Sequence, residues 1–253
     1  MPTLERLFPQ GLSQDRLLGG RVQLAQPLGG YRVAVDPVLL AAAVPARAGE
    51  LAADFGAGSG AVGLCLAARV QGCRVVGLER EPDLAALTRA NAARSGLGDR
   101  VFVVCADAGA PPLAEASVDH VAMNPPYLPA TAATQPQERL RRVGAIEGKA
   151  GLATWIASAW PLVRRGGTVS LIHRADRLDE IVAQCRRCQP GGLTIVPIWP
   201  HTGQPARRVV VRLRKDDRSP LNLLPGLVLH EADGRFTAAA DAVLREAAGL
   251  ALP

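Results

Sequence analysis

A short apolar run that ends in Asn-Pro-Pro-Tyr constrains this chain more than any other feature of its sequence. Residues 118–123 have the length and character of a buried strand. Pro125 and Pro126 follow; they hold φ near −65° and cannot donate to a ladder, so the strand must stop there. Asn124 is then held at the carboxyl end of a strand, where open α/β sheets bind their ligands. The stretch therefore predicts an α/β sheet with a ligand site at its edge.

The same tetrapeptide suits one kind of chemical group. The side-chain oxygen of Asn124 and the carbonyl oxygen of Pro125 can point the same way, as two acceptors for the two hydrogens of one amine. Accepting both N–H groups helps a planar amine to pyramidalise and to direct its lone pair at an electrophile, while Tyr127 can stack on the attached ring. The alternative is a plain loop, in which Asn-Pro begins a turn and Tyr127 fills a gap.

Composition sets wide limits on the class of protein. A chain of 253 residues that is 48% hydrophobic can form one large α/β domain or two smaller ones. Its net charge of +6 permits a nucleic-acid partner but does not require one. Five cysteines form no disulfide framework, and no apolar run approaches the roughly 18 residues of a membrane span. We therefore expect a soluble, cytoplasmic protein with no membrane partner.

A strand, a glycine-rich loop and a helix lie upstream of the tetrapeptide. Residues 51–55 predict a buried strand and residues 61–70 a helix. The loop between them contains Gly56, Gly58 and Gly60. Glycine lets the chain turn tightly and lets a ligand approach the backbone. The spacing also satisfies a dinucleotide pattern through Ala61, but the charge of Asp54 would repel a pyrophosphate and suit the ammonium of a methionine moiety.

Two more carboxylates follow predicted strands. Glu79 ends a strand about 20 residues after the glycine loop, where such folds place an acceptor for ribose hydroxyls. Asp107, next to Ala108, follows a strand at residues 101–104 and can accept from an adenine amine. One such residue alone could be a cap or a solvated surface group. Three carboxylates at successive strand ends, ahead of Asn124, indicate a nucleoside ligand.

The rest of the chain continues the alternation of strands and helices. Further predicted strands cover residues 74–78, 168–173, 193–198 and 205–215, and a short extended piece covers residues 227–230. Further predicted helices cover residues 37–43, 82–95, 151–163, 178–188 and 237–248. We interpret residues 1–30 as an N-terminal extension, 31–218 as the main domain, and 219–253 as a C-terminal extension packed on it.

Two groups of basic residues are candidates for contact with a phosphate backbone. A long loop over residues 131–149 contains Arg139, Arg141, Arg142 and Lys149. Loops of that length in compact domains are usually functional, although a solvated charged face is the alternative. By the strand period of two, Arg208, Arg212 and Arg214 share one face. That row is either a phosphate-contacting stripe or a charged guard on an edge strand.

Other polar residues have plainer interpretations. Asp36 precedes a helix with Pro37 in its first turn, which predicts an N-cap. His173 ends its strand without a partner nearby in sequence, and we interpret it as structural. Cys185 and Cys188 lack the second pair or flanking histidine of a metal site, so an incidental helical pair is expected.

In their order and spacing, these motifs resemble the class I methyltransferases that use S-adenosyl-L-methionine. The resemblance is carried by the run from Asp54 to Gly60, by Glu79 and Asp107, and by Asn124-Pro-Pro-Tyr127. The NPPY form is similar to that of enzymes that methylate amino groups, either adenine N6 in DNA and RNA or a glutamine amide in release factors. The segments YRVAVDPVLLAAAVP and RRVVVRLRK also resemble bacterial tRNA adenine-N6 methyltransferases, which modify an adenine beside the anticodon.

The resemblance implies a Rossmann-like α/β fold: a seven-stranded, mostly parallel sheet with an antiparallel last strand and helices on both faces. The cofactor would lie over the glycine loop, with its ribose on Glu79 and its adenine on Asp107. The residues expected to bind it are Asp54, Gly56, Gly58, Gly60, Glu79, Asp107, Ala108 and Asn124. The residues expected at the target amine are Asn124, Pro125 and Tyr127. The implied partner is tRNA, and the implied chemistry needs no metal.

Three other functions stay open at this point. A protein methyltransferase acting on a glutamine amide uses NPPY equally well, although the basic loop and the lack of a large helical domain ahead of residue 31 argue against it. A nicotinamide oxidoreductase could use the same glycines. A protein that binds RNA or the cofactor without catalysis could keep the fold, although an intact NPPY argues against that loss.

Overall fold

The computed structural model describes residues 3–29, 32–127 and 151–250. Its helices are α1 (Leu4–Leu7), α2 (Asp36–Ala43), α3 (Ala61–Arg69), α4 (Pro82–Arg94), α5 (Leu152–Leu162), α6 (Leu178–Arg187) and α7 (Ala238–Arg245). Its strands are β1 (Leu12–Leu17), β2 (Val22–Pro27), β3 (Leu51–Phe55), β4 (Arg74–Glu79), β5 (Val101–Cys105), β6 (Val118–Met123), β7 (Val163–Arg174), β8 (Gly192–His201), β9 (Arg208–Arg214), β10 (Asn222–Leu223) and β11 (Leu227–His230).

One large sheet organises these elements. Its strand order is β10-β8-β9-β7-β6-β3-β4-β5, with β11 also paired to β8. The pairs from β7 through β6, β3 and β4 to β5 are parallel, whereas β9 runs antiparallel to both β7 and β8. The carboxyl ends of the parallel strands therefore meet at one edge, which confirms the α/β prediction.

Both faces of the sheet are covered by helices because its strands alternate their apolar side chains. In β3, Ala52 packs into a core with α2, α3 and α7, whereas Ala53 and Phe55 pack into a second core with α5 and α6. In β6, Ala122 and Met123 divide between the two cores in the same way. This period of two on a sheet buried from both sides is what the near-continuous apolar strands require.

The strand count differs from the expected seven. The predicted seven strands are present as β3 to β9, and the two short strands β10 and β11 extend the sheet to nine. Both come from the tail, where β10 and β11 pair in parallel with β8. A strand of two residues carries too little periodicity to be recognised in a sequence. The divisions at residues 30 and 218 stay predictions.

The position of β9 corrects one interpretation. It is hydrogen-bonded on both sides, to β7 and to β8, so its arginines do not guard an edge strand. Arg212 is 3% exposed, and burial lowers the pKa of its guanidinium to about 10. Because β9 is antiparallel, Arg208 lies at the same edge as the carboxyl end of β7, and Arg214 lies at the opposite edge. The row is therefore not one continuous surface stripe.

The N-terminal segment forms an antiparallel hairpin of β1 and β2 beside the main sheet. It is tied to α4 by the Asn91 side chain, which accepts from the Ala25 N–H and donates to the Ala25 carbonyl, both at 3.0 Å. The predicted extended cover is thus a paired hairpin with its own anchor. Within the described residues, no helix combines the length and apolar composition needed to cross a bilayer.

Candidate active site

The strand register brings the predicted site residues to one edge. Phe55, the last residue of β3, pairs with Leu78 on one side and Met123 on the other. Glu79 pairs with Cys105 at the end of β5. Gly56, Glu79 and Asn124 are therefore neighbours across the sheet, as the sequence motifs predict.

The glycine loop has the backbone conformation that only glycine adopts easily. Gly56, Gly58 and Gly60 have φ values of +67°, +58° and +91°. A Cβ on Gly60 would lie 2.6 Å from Cγ2 of Thr88, and one on Gly56 would lie 2.5 Å from Cη2 of Trp155. A Cβ on Gly58 would meet nothing closer than 3.9 Å. Two glycines are thus required by packing, whereas Gly58 faces open space that a ligand can fill.

Glu79 is built into this loop. Its Oε2 accepts from the Gly58 N–H at 2.8 Å, and its Oε1 accepts from the Glu81 N–H at 2.9 Å. The carboxylate is 5% exposed, and burial raises its pKa against the opposing effect of these two bonds. Each carboxylate oxygen has a further lone pair, so Glu79 can brace the loop and still accept from a ligand hydroxyl.

Asp54 is the most deeply buried acid of the site. It is 2% exposed, and its Oδ2 accepts from the Gly63 N–H in the first turn of α3 at 2.9 Å. Burial raises its pKa to about 7, although the bond from Gly63 favours the ionised form. A cation bound nearby would offset this burial penalty, because an opposite charge favours the carboxylate.

The end of β5 offers a more accessible acceptor. Asp107 is exposed, and its Oδ1 accepts from the Gly109 N–H at 2.7 Å. Ala108 is buried, and its carbonyl accepts from Ser158 Oγ at 2.7 Å. Asp107 therefore holds a tight turn while keeping acceptor capacity toward solvent.

Four side chains that sequence reasoning missed support this edge. Thr88 Oγ1 donates to the Gly58 carbonyl at 2.7 Å, and Asn91 donates to the Ser59 carbonyl at 2.9 Å. Trp155 lies against Gly56, and Ser158 of the same helix holds Ala108. Their positions on α4 and α5 read as ordinary helix sequence, so only the packing of these helices on the loop reveals them.

Asn124 has an unsatisfied acceptor. Its Oδ1 is buried and has no hydrogen-bond partner within the described residues. A buried amide oxygen without a partner costs about 1–3 kcal/mol, so this atom is a candidate acceptor for a donor on a ligand. Pro125 is buried directly beside it. The orphaned oxygen lies where a donor with N–H groups would be recognised.

Tyr127 is held by a cluster that we call the tyrosine clamp, made of Asp36, His173 and Arg208. The Tyr127 hydroxyl donates to Asp36 Oδ2 at 2.6 Å, and Arg208 Nε donates to the same oxygen at 2.8 Å. Arg208 Cζ lies over the Tyr127 ring, 4.9 Å from its centroid. The His173 ring meets the Tyr127 ring edge-on, with centroids 5.1 Å apart. Tyr127 is thus contacted at its hydroxyl, at one face and at its edge.

The clamp revises three sequence interpretations. Asp36 is not the N-cap, since α2 begins at Asp36 itself and Val35 takes the cap position. Arg208 is paired with Asp36, so its prediction as a phosphate contact is not supported by this geometry. His173 is buried and contacts Tyr127, and burial lowers its pKa to about 4, which keeps the ring neutral near pH 7.

The remaining candidates have mixed outcomes. Arg139, Arg141, Arg142 and Lys149 lie outside the described residues. Buried Arg212 does not present its guanidinium to a polyanion at the surface. Among the residues that the structure describes, no group of three or more His, Cys, Asp or Glu side chains could hold a metal ion. Cys185 and Cys188 are both free thiols.

Comparison with known proteins gives a consistent result. Residues 52–148 match a family model described as a methyltransferase domain. A Porphyromonas gingivalis protein named tRNA1(Val) (adenine(37)-N6)-methyltransferase is 32% identical over 81% of this chain and 84% of its own length. A release factor glutamine methyltransferase from Chlorobaculum tepidum is 34% identical, over 51% of this chain and 47% of its own length.

A solved structure extends the likeness to the fold. It is named as a predicted O-methyltransferase from Agrobacterium tumefaciens, is 30% identical, and superposes with a TM-score of 0.71 over 85% of this chain and 98% of that chain. A chain that is 32% identical to that Porphyromonas gingivalis protein along most of its length belongs to the class I S-adenosylmethionine-dependent methyltransferases and to their NPPY branch, which methylates amino nitrogens.

Proposed function

We propose that this enzyme methylates the exocyclic N6 amine of an adenine in RNA, and specifically of a tRNA adenine near the anticodon, in the cytoplasm. The observation that carries the proposal is the buried, unpartnered Oδ1 of Asn124 at the carboxyl end of β6. Relatives from Porphyromonas gingivalis and Aeromonas hydrophila that carry the tRNA adenine-N6 name align with 81% of this chain.

The residues at the strand ends fit the cofactor. S-adenosylmethionine supplies a methyl group on a sulfonium, which is already a strong electrophile. Glu79 is proposed to accept from its ribose hydroxyls, and Asp107 from its adenine amine, beside the apolar wall of Ala108. Asp54, whose burial penalty a cation would relieve, suits the charged methionine end. The open side of Gly58 supports the fit, because among the described residues no atom lies closer than 3.9 Å to a Cβ placed there.

The chain's own contribution to the chemistry is alignment. Asn124 Oδ1 and the Pro125 carbonyl would accept the two N–H groups of the target amine and direct its lone pair outward. Good alignment of reacting groups supplies much of the rate in such reactions. No nucleophile of the protein and no metal is needed, and the proton of the altered amine can leave to water.

Tyr127 would stack on the target base. Arg208 already lies over one face of its ring, with Cζ 4.9 Å from the centroid. An adenine in an anticodon loop must first leave its own stack, which costs a few kcal/mol, and stacking on Tyr127 offsets part of that cost. The basic residues Arg139, Arg141, Arg142 and Lys149 remain proposed phosphate contacts.

Glutamine methylation is the second candidate, because the Chlorobaculum tepidum protein carries that name. Its likeness covers only about half of each chain, whereas the tRNA-directed relatives align along most of theirs. The RNA substrate is therefore favoured over the protein substrate.

The test is transfer of labelled methyl to total tRNA from cells that lack this gene, followed by nucleoside analysis. We expect N6-methyladenosine, and we expect Asn124→Ala to lower transfer by about 100-fold or more, as loss of one preorganised polar group commonly does. Binding of S-adenosylhomocysteine should stay within about threefold. Asn222→Ala, at an exposed asparagine on β10, is the matched control.

Each other outcome is informative. Methylation on ribose oxygen would exclude the amine assignment. If the protein binds S-adenosylhomocysteine but transfers nothing to tRNA, the RNA proposal is wrong and release-factor glutamine is the next substrate to assay. If Asn124→Ala loses cofactor affinity in step with activity, Asn124 does not have the proposed role.

A further inference from the structure

We infer that Asp36 is a positioning residue that acts through Tyr127, with Arg208 as its counter-ion. This inference rests on the proposed function of the site. It assigns a catalytic consequence to a residue that lies far from the NPPY motif in sequence and whose sequence position indicates only a helix cap.

The carboxylate is not used by its own helix. The N–H groups of Val38 and Leu39 bond to the carbonyl of Val35, and the Asp36 side chain caps none of them. Asp36 is nevertheless 5% exposed, so its charge has been taken out of water. A buried carboxylate needs hydrogen bonds and a counter-charge, and here both come from other elements.

Those partners come from distant parts of the chain. Tyr127 follows Asp36 by 91 positions and Arg208 by 172, yet both donate to the single oxygen Oδ2. Asp36 lies on α2, Tyr127 follows β6, and Arg208 begins β9. The contact therefore fixes the tyrosine against two different elements of the fold.

Three contacts restrain the Tyr127 ring. The hydroxyl bond to Asp36 holds the ring's far end, the guanidinium of Arg208 covers one face, and His173 meets the edge. Asp36 holds two of these restraints, since it also orients Arg208. The orientation of the Tyr127 ring is thus set in advance relative to Asn124 and Pro125, three and two residues before it.

Preorganisation of this kind affects alignment more than binding. A misplacement of about 1 Å in a reacting pair can cost about 100-fold in rate. Loosening the ring should therefore lower kcat while leaving the cofactor site intact, because the hydrogen bonds of Glu79 and Asp54 within the described residues go to the N–H groups of Gly58, Glu81 and Gly63. We expect Asp36→Asn and Asp36→Ala to lower kcat for tRNA by roughly 10- to 100-fold, with S-adenosylhomocysteine affinity changed less than about threefold.

A double-mutant cycle separates this role from a structural one. If Asp36 acts through the tyrosine hydroxyl, Asp36→Ala should cause at least fivefold less loss of kcat in a Tyr127→Phe background than in the wild type, because coupled residues are not additive. If the two losses simply multiply, Asp36 acts independently of Tyr127 and the inference is wrong. Asp241→Ala, which breaks the exposed Asp241–Arg245 ion pair on α7, is the matched control.

A measurement on the protein without RNA tests the role of Asp36 independently of which substrate the enzyme methylates. The chain has two tyrosines, so a Tyr31→Phe variant leaves Tyr127 as the single ring to observe by NMR with ring-labelled tyrosine. We expect a rigid ring that becomes mobile in Asp36→Asn, a variant that keeps the shape of Asp36 and removes its charge. A ring that stays equally rigid overturns the inference. A ring that loosens in an enzyme inactive on tRNA supports the clamp and refutes only the substrate.

Discussion

Burial of a single carboxylate, that of Asp54, makes the stability of this protein depend on pH. Its folded-state pKa of about 7 lies above the ordinary value of 3.8, because the carboxylate is buried and faces Glu79. The folded protein therefore binds a proton that the unfolded chain releases, so this group makes stability fall as pH rises from about 4 to 7. Above that window the burial penalty is fully present.

Replacing Asp54 by Asn should reveal that penalty. Asn keeps an oxygen for the Gly63 N–H but cannot ionise, so its benefit to the free enzyme should be about 1 kcal/mol greater at pH 8 than at pH 6. Denaturant unfolding of both proteins at the two pH values measures this difference. The same variant should bind S-adenosylhomocysteine more weakly. A pH-independent difference would show that Asp54 does not titrate between pH 6 and pH 8 in the folded protein.

At the scale of elements, the site depends on how α4 and α5 pack on the glycine loop. Thr88 and Asn91 of α4 hold the carbonyls of Gly58 and Ser59, and Trp155 of α5 lies on Gly56. The loop is thus shaped by two helices as well as by its own glycines. This packing predicts that glycines with the same sign of φ will respond differently to substitution.

The pair Gly58→Ala and Gly60→Ala tests this difference. Gly60→Ala drives a Cβ against Thr88 and should lower the free energy of unfolding by about 2–4 kcal/mol. Gly58→Ala places its Cβ 3.9 Å from the nearest atom of the described residues, so it should lower the free energy of unfolding by only about 1 kcal/mol, the cost of alanine in the left-handed conformation. The same substitution should weaken cofactor binding more than tenfold. Gly49→Ala, at φ +86° with open space around it, is the control. Equal stability losses at 58 and 60 would contradict this account.

At the scale of the whole molecule, the net charge of +6 becomes relevant to the proposed partner. Binding of RNA releases counterions from phosphates, so the affinity should fall steeply with salt. Raising KCl from 50 to 200 mM should weaken tRNA binding by roughly 10- to 100-fold, as a few phosphate contacts would. Fluorescence anisotropy with labelled tRNA measures the slope, and S-adenosylhomocysteine binding serves as the salt-insensitive reference. A flat slope would argue for a neutral substrate.

Much of the architecture could be predicted because its signals are local. Apolar runs mark the strands β3, β4 and β6. The turn-forming or helix-starting residues Gly60, Pro82 and Pro125 mark where neighbouring elements begin or end. The carboxyl ends of parallel strands meet at one edge of a sheet. The sequence therefore predicts that the glycine loop, Glu79, Asp107 and the NPPY motif lie close together. Observed bounds differ from the predicted ones mostly by a residue or two, where helices fray and strands lose pairing.

What escaped prediction are contacts between elements that share no sequence signal. The pairing of β9 between β7 and β8, which buries Arg212, depends on the order of strands and not on the composition of any one of them. The two-residue strand β10 exists because β8 offers it a partner. Trp155 lies against Gly56 because α5 packs on the glycine loop, and the sequence around Trp155 does not predict that contact.

The residues from Asp54 to Tyr127 thus specify the chemistry on their own, since strand, turn and acceptor types are set by local backbone preferences and side-chain groups. The clamp on Tyr127 belongs to the tertiary structure. Asp36, His173 and Arg208 meet the ring only because α2, β7 and β9 converge on one edge of the sheet. Hydrogen bonds and charge pairs across such distances arise from topology, which no local pattern encodes.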